Sequence, residues 1–229
     1  MIDSSGKDIF KRLRTVLRRI FLPAVFPLFA SPLAAHPHVF VDGGVNFVVN
    51  DKGQLEALQV TWLYDAFETL YILSSYEMSL KATGTLDEAD RQRLVRLRSD
   101  WPADFDGSSH ISMAGARVAL DRPRDMDAQL VDGRLKMTFT RHLRTPVDMK
   151  DASLEVAVYE ATYFYAFAVT DDPLLLGETA GCDTDVIPFN PDTQDKVLQA
   201  TLAKLGREET PDIEGVGAFF ADRIVLKCA

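Results

Sequence analysis

The chain has 229 residues, 47% of them apolar and 26% charged, a balance that excludes a disordered tail or a collagen-like fibre and suits one sizeable domain. The formal charge of −9 conceals an asymmetry: residues 1–35 hold Lys7, Lys11, Arg12, Arg14, Arg18 and Arg19 against only Asp3 and Asp8, which leaves the rest near −13. So acidic a domain does not neutralise phosphates, which argues against a nucleic-acid partner, and its field attracts cations.

The first segment reads as an export signal. Its basic residues precede an apolar run from Ile20 to Ala35 that ends in Ala34-Ala35, the small-residue pattern of a cleavage site. Pro23, Pro27 and Pro32 and the shortness of the run oppose a spanning helix. The expected organisation is a signal peptide over 1–35 and a single exported α+β domain over 36–229, periplasmic or otherwise outside the cytoplasm, with no stable membrane anchor after cleavage. Arg18-Arg19-Ile20-Phe21-Leu22 resembles a twin-arginine signal, so both that route and the general secretory route remain open.

From Val39 the apolar residues alternate (Val39, Val41, Val45, Phe47, Val49), the period of a half-buried strand. Asn50-Asp51-Lys52-Gly53 is turn chemistry, and Leu55–Tyr64 completes a hairpin. The spacing of Phe67, Leu70, Tyr71 and Met78 predicts a helix over about Ala66–Leu80 with these residues on one face. Thr85 with Glu88 forms a capping-box pattern before a second helix, in which Leu94, Leu97 and Trp101 share a face. Strands return at His110–Met113 and Ala116–Leu120 about Gly115, at Ala128–Val131 and Leu135–Thr140 about Asp132-Gly133, and at Leu154–Tyr159, Tyr163–Thr170, Gly181–Ile187 and Arg223–Lys227. Asn190 caps a helix with Pro191 at its first position, and Leu198, Leu202 and Leu205 mark its buried face. The expected fold is a mainly antiparallel β-sandwich-like domain with helices inserted after the first hairpin.

Cys182 and Cys228 are the only cysteines. An even pair in an oxidising compartment predicts a disulfide, with a metal-thiolate site as the weaker rival. Closing a loop of about 45 residues contributes roughly 3–4 kcal/mol in the chain-entropy model.

Cleavage after Ala35 makes His36-Pro37-His38 the mature terminus. On an extended segment residues two apart point to one side, about 6.6 Å apart along the chain. Two imidazoles and the new α-amine, which titrates near 8, can then take one Ni, Co, Zn or Cu ion. Pro37 has no amide proton to lose, which blocks the square arrangement of the usual amino-terminal copper and nickel clip. Glu160, in Glu160-Ala161-Thr162-Tyr163-Phe164-Tyr165, is the candidate for a further oxygen ligand. His110 and His142 read as structural, Asp65 as a helix cap, and Asp171-Asp172-Pro173 as a turn. No GxSxG, HExxH, P-loop, dinucleotide turn or CxxC is present, so an enzyme is not expected. The alternatives are a copper-dependent oxidative enzyme using an amino-terminal histidine bracket, and a structural or interaction module in which this segment merely starts a strand.

The signal followed by His36-Pro37-His38-Val39-Phe40-Val41-Asp42 resembles an uncharacterised family of bacterial exported proteins, domain-of-unknown-function family 1007. Trp62-Leu63-Tyr64-Asp65, Tyr159-Glu160-Ala161-Thr162-Tyr163-Phe164, Ala180-Gly181-Cys182 and the terminal strand ending at Cys228 extend the resemblance over nearly the whole mature chain. It implies a periplasmic component of an ABC-type transport system with a nickel/cobalt-type membrane permease as partner. Many relatives carry an acidic DxDxDG stretch between the early helices. Here Ser79–Asp90 has only Asp87, Glu88 and Asp90 in a helical pattern, so a calcium site is not expected. About 194 mature residues are few for a two-lobed solute binder, which favours an accessory protein or metal chaperone.

Overall fold

The computed structural model describes residues 37–78, 84–102, 105, 107–179, 181–193, 196–202, 204–205, 209 and 212–229, all within the unit Ala34–Ala229. The proposed signal, His36 and the expected helix end at Leu80 lie outside the described residues.

Alternation of apolar residues places the strands. β1 (Val39–Val49) and β2 (Gln54–Tyr64) pair antiparallel around the Asn50 turn, whose side-chain oxygen accepts the N–H groups of Lys52 at 3.0 Å and Gln54 at 3.1 Å. Two helices follow, α1 (Ala66–Ser75) and α2 (Glu88–Arg98). β3 (Ser109–Met113) turns into β4 (Ala116–Val118), and β5 (Arg124–Val131) into the long β6 (Arg134–Asp148). In both turns the two central residues, Ala114-Gly115 and Asp132-Gly133, have positive φ, the twist that suits a tight hairpin. β7 (Ser153–Val158), β8 (Tyr165–Val169), β9 (Leu175–Gly177) and β10 (Cys182–Ile187) come next. After a 3-10 turn at Pro191–Thr193 come α3 (Lys196–Leu202), a second 3-10 turn at Val216–Phe220, and the closing strand β11 (Asp222–Cys228).

The strands form two sheets, β5-β6-β2-β1-β8 with β9 also beside β1, and β10-β11-β7-β3-β4. Their inward rows share one core. Val41, Phe47, Leu58, Val60 and Phe139 of the first sheet belong to the same buried cluster as Ile111, Val156, Ile224 and Leu226 of the second. The α+β, sandwich-like fold agrees with the expectation from sequence. Asp222 links the sheets from a buried position, accepting the N–H of Val169 at the end of β8 and of Phe189 after β10, each at 2.7 Å.

Several details depart from the sequence reading. β8 and β9 run parallel to β1, pairing with Val39–Gly43 and Phe47–Val49 respectively. β9 was not anticipated, because three residues carry no readable period. α1 ends at Ser75, and Phe67, Leu70 and Tyr71 are exposed while Glu68, Thr69, Ile72 and Leu73 are buried. Both faces of this helix are apolar enough to be buried. The choice falls to tertiary bonds: Asp65 caps the first turn by accepting Glu68 N–H at 2.8 Å, and Thr69 Oγ1 accepts Leu135 N–H at 2.9 Å, which turns Ile72 and Leu73 inward. α2 is capped by Asp87, accepting Asp90 N–H at 2.8 Å, and not by Thr85, because the helix begins at Glu88. Leu94 of α2 is buried, whereas Leu97 is largely exposed. Asn190 accepts Asp192 N–H at 2.9 Å and so opens the 3-10 turn at Pro191–Thr193, and the α-helix is described over Lys196–Leu202.

Candidate functional site

The head of β1 is fastened to a turn. His38 and Val39 both donate backbone N–H groups to the Phe164 carbonyl, at 3.0 and 3.2 Å, and the His38 ring lies 4.9 Å from that of Phe164. The turn is built by Glu160. Its Oε1 accepts Thr162 N–H at 2.8 Å, and its Oε2 accepts the Thr162 hydroxyl at 2.8 Å and Phe164 N–H at 3.0 Å. Tyr163, in the left-handed region at φ 62°, stacks on Phe220 at 4.0 Å, and Gly217 N–H donates to the Ala161 carbonyl. The 3-10 turn before β11 therefore backs the Glu160 turn, and that turn holds His38.

Two of the three metal-ligand candidates, His38 and Glu160, thus come together through Phe164; His36 lies outside the described residues. Glu160 Oε1 accepts a single hydrogen bond and retains a lone pair, while Oε2 is more fully engaged. His110 stacks on Tyr159 at 3.8 Å with its Nε2 at 3.2 Å from the Tyr159 carbonyl, and His142 lies in β6 opposite Ala57. Among the described residues no three His, Cys, Asp or Glu side chains converge as a metal site, and no helix is long and apolar enough to cross a membrane. Asp87, Glu88 and Asp90, the acidic residues of the second helix start, serve as its cap and first turn. Cys182 and Cys228 face each other across β10 and β11 and are joined as a disulfide.

Beside the turn is a cavity of about 280 Å³ that the sequence did not disclose. Trp62 and Tyr64 reach it from β2, Tyr165 and Phe167 from β8, Arg98 from the end of α2, and Trp101 and Phe105 from the segment after it. Inward alternation explains Trp62 with Tyr64 and Tyr165 with Phe167, since residues two apart on a strand share a face. The rings pack closely: Trp62 to Phe139 at 4.9 Å, to Phe167 at 5.5 Å and to Trp101 at 6.1 Å. Arg98 Nη2 donates to the Tyr64 hydroxyl at 3.1 Å, with its guanidinium carbon 5.8 Å from that ring's centre. Burial raises the Tyr64 phenol above its ordinary value and pushes Tyr165 up to about 12, so both hydroxyls stay protonated at neutral pH. Trp62 is 6% exposed, and its indole N–H has no hydrogen-bond partner among the described residues. The signal that could have disclosed this place was the pairing of two inward aromatics on each of two strands. The guanidinium that completes it comes from a helix whose docking no local pattern encodes.

Comparison with known proteins adds a family. The profile described as "Protein of unknown function (DUF1007)" matches residues 21–228. An uncharacterized protein of Haemophilus influenzae is 20% identical over 198 residues, covering 85% of this chain and 91% of the relative.

Proposed function

The chain belongs to the DUF1007 family, and on that premise we propose that it is an exported accessory protein of a divalent-metal transport system, a binding protein and not an enzyme. In this reading residues 1–35 are removed as a signal, the mature terminus His36-Pro37-His38 takes Ni, Co, Zn or Cu, and a membrane metal permease, in an ABC-type system, receives or supplies the ion.

The observation that carries the reading is the anchoring of His38. With its N–H bonded to Phe164 and its ring against the Phe164 ring, one imidazole is held on the domain. A terminus made two residues earlier would bring an amine and a second imidazole beside it. Such donors suit a borderline divalent ion, and holding one of them in advance reduces the ordering entropy of binding. The described residues alone provide no closed site, so the proposed site is open: His36 and His38 are the ligands, Glu160 shapes the turn with one lone pair in reserve, and water or the partner fills what remains. The Cys182–Cys228 disulfide is consistent with an oxidising compartment.

The test has two steps on protein recovered from the exported fraction. Mass spectrometry should find His36 as the first residue. Isothermal titration with Zn, Ni, Co and Cu should then give one site that the double variant His36→Ala, His38→Ala loses. An intact leader, or equal binding by the double variant, would defeat the reading.

A further inference from the structure

We propose that the aromatic cavity between β2, β8 and the end of α2 is a separate binding site for a small flat organic carboxylate, with its ring against the Trp62–Trp101 wall and its carboxylate on Arg98. The proposal does not rest on the metal reading: His38 does not line the cavity, and Glu160, which does, is given no part in holding the ligand.

Three features of the walls converge. The first is shape and polarity. About 280 Å³ lined by Trp62, Tyr64, Trp101, Phe105, Tyr165 and Phe167 suits a ring with a short substituent better than a peptide, and aromatic walls favour a flat apolar body. The second is a pair of phenols: Tyr64 and Tyr165 line the cavity and carry hydroxyls that stay protonated. A protonated phenol can donate a hydrogen bond to an acceptor that a ligand carries in. The third is Arg98. Its guanidinium is half-buried, bonds the Tyr64 hydroxyl and forms no ion pair among the described residues. Because the phenols of Tyr64 and Tyr165 stay protonated, they leave its charge intact, and a guanidinium fork in a low-dielectric recess matches a carboxylate.

Buried Glu68 is drawn by the Arg98 charge but forms no ion pair with it, and the two acids on the cavity wall do not take that place either. Glu160 lines the cavity, but its oxygens accept the hydrogen bonds of their own turn. Asp100 stands exposed at the rim, where water and salt screen it. The positive charge on the walls is that of Arg98, which selects a ligand that brings an anionic acceptor.

Both tryptophans of the chain, Trp62 and Trp101, line this cavity, so selectively excited tryptophan fluorescence reports from it. The experiment titrates the purified protein with phenylacetate and benzoate, and with benzyl alcohol as a neutral counterpart. The expected result is a saturable change with the carboxylates and weaker binding of the alcohol. Arg98→Met should weaken phenylacetate by about tenfold or more while leaving benzyl alcohol unchanged, the mark of a charge-assisted contact. Arg98→Lys keeps the charge and loses the planar fork; it should weaken phenylacetate and leave benzyl alcohol unchanged, and it decides the matter if Arg98→Met does not fold. The variant His36→Ala, His38→Ala should bind phenylacetate as the parent does, which separates this site from the terminal one. No saturable response to either carboxylate, or equal affinity for carboxylate and alcohol, overturns the proposal.

Discussion

At the scale of single residues, the corner where β2 meets α1 concentrates charge in little space. Asp65 divides its two oxygens between the Glu68 N–H and the Phe40 N–H, at 2.8 and 3.0 Å, so one carboxylate starts the helix and ties it to β1. Glu68, one turn on, is buried. Burial raises its pKa above the ordinary 4.5, the attraction of Arg98 works the other way, and Asp65 adds to the rise. The sign follows from linkage. With the folded-state value above the unfolded one, the folded protein binds more protons between the two values, so stability rises as pH falls through the folded pKa. Above that pKa the buried charge opposes folding. Glu68→Gln should therefore raise the urea midpoint at neutral pH, with the advantage shrinking as pH falls and gone below 4.5. A lower midpoint at neutral pH would mean that the Arg98 attraction outweighs desolvation.

At the scale of elements, the decisive contacts are between turns and helices that lie far apart in the chain. α2 is docked by Arg91, which pairs with Glu88 on its own helix and reaches Asp127 on β5. The side-chain bonds of Arg91 and Gln92 hold the exposed Glu88 carboxyl down at about 2. The Glu160 turn depends on a close approach by the 3-10 turn at Val216–Phe220. A Cβ added at Gly217 would fall 1.8 Å from the Glu160 carbonyl oxygen, a backbone atom that cannot swing aside. Gly217→Ala should accordingly destabilise the protein by roughly 2–3 kcal/mol, the upper part of the range for overpacking. It should also part the Tyr163–Phe220 stack and loosen the head of β1. Thermal unfolding measures the first, and a parent-like melting curve would show that the two turns tolerate separation.

For the whole molecule, closure comes late in the chain. β11 is an inner strand of the second sheet, between β10 and β7, so that sheet is complete only when the last residues are in place. Asp222 at its start bonds segments on both sides of the core, and Cys228 at its end is locked to Cys182. Reduction, or Cys182→Ser with Cys228→Ser, should lower unfolding stability by roughly 3–4 kcal/mol on the chain-entropy account. Urea titration with and without a thiol reductant checks this; matching midpoints would show that the bond stabilises little beyond what the strand pairing already holds.

Much of this architecture was legible in local patterns. Alternation from Val39 to Val49, the Asn50 turn and the Asp132-Gly133 hairpin each depend on neighbours a few residues away, and the two cysteines left one pairing to draw. Their chemistry is short-range, so the linear order of residues carries it. What only the tertiary structure decided depends on groups remote in the chain. The burial of Ile72 and Leu73 in preference to Phe67 and Tyr71, the parallel seats of β8 and β9 along one edge of β1, and the meeting of His38 with the Glu160 turn are of this kind. So is the placing of Arg98 beside Trp62 and Tyr165. Each is chosen by long-range hydrogen bonds and by the competition of two nearly equal apolar faces for one core, and no window of sequence contains both competitors.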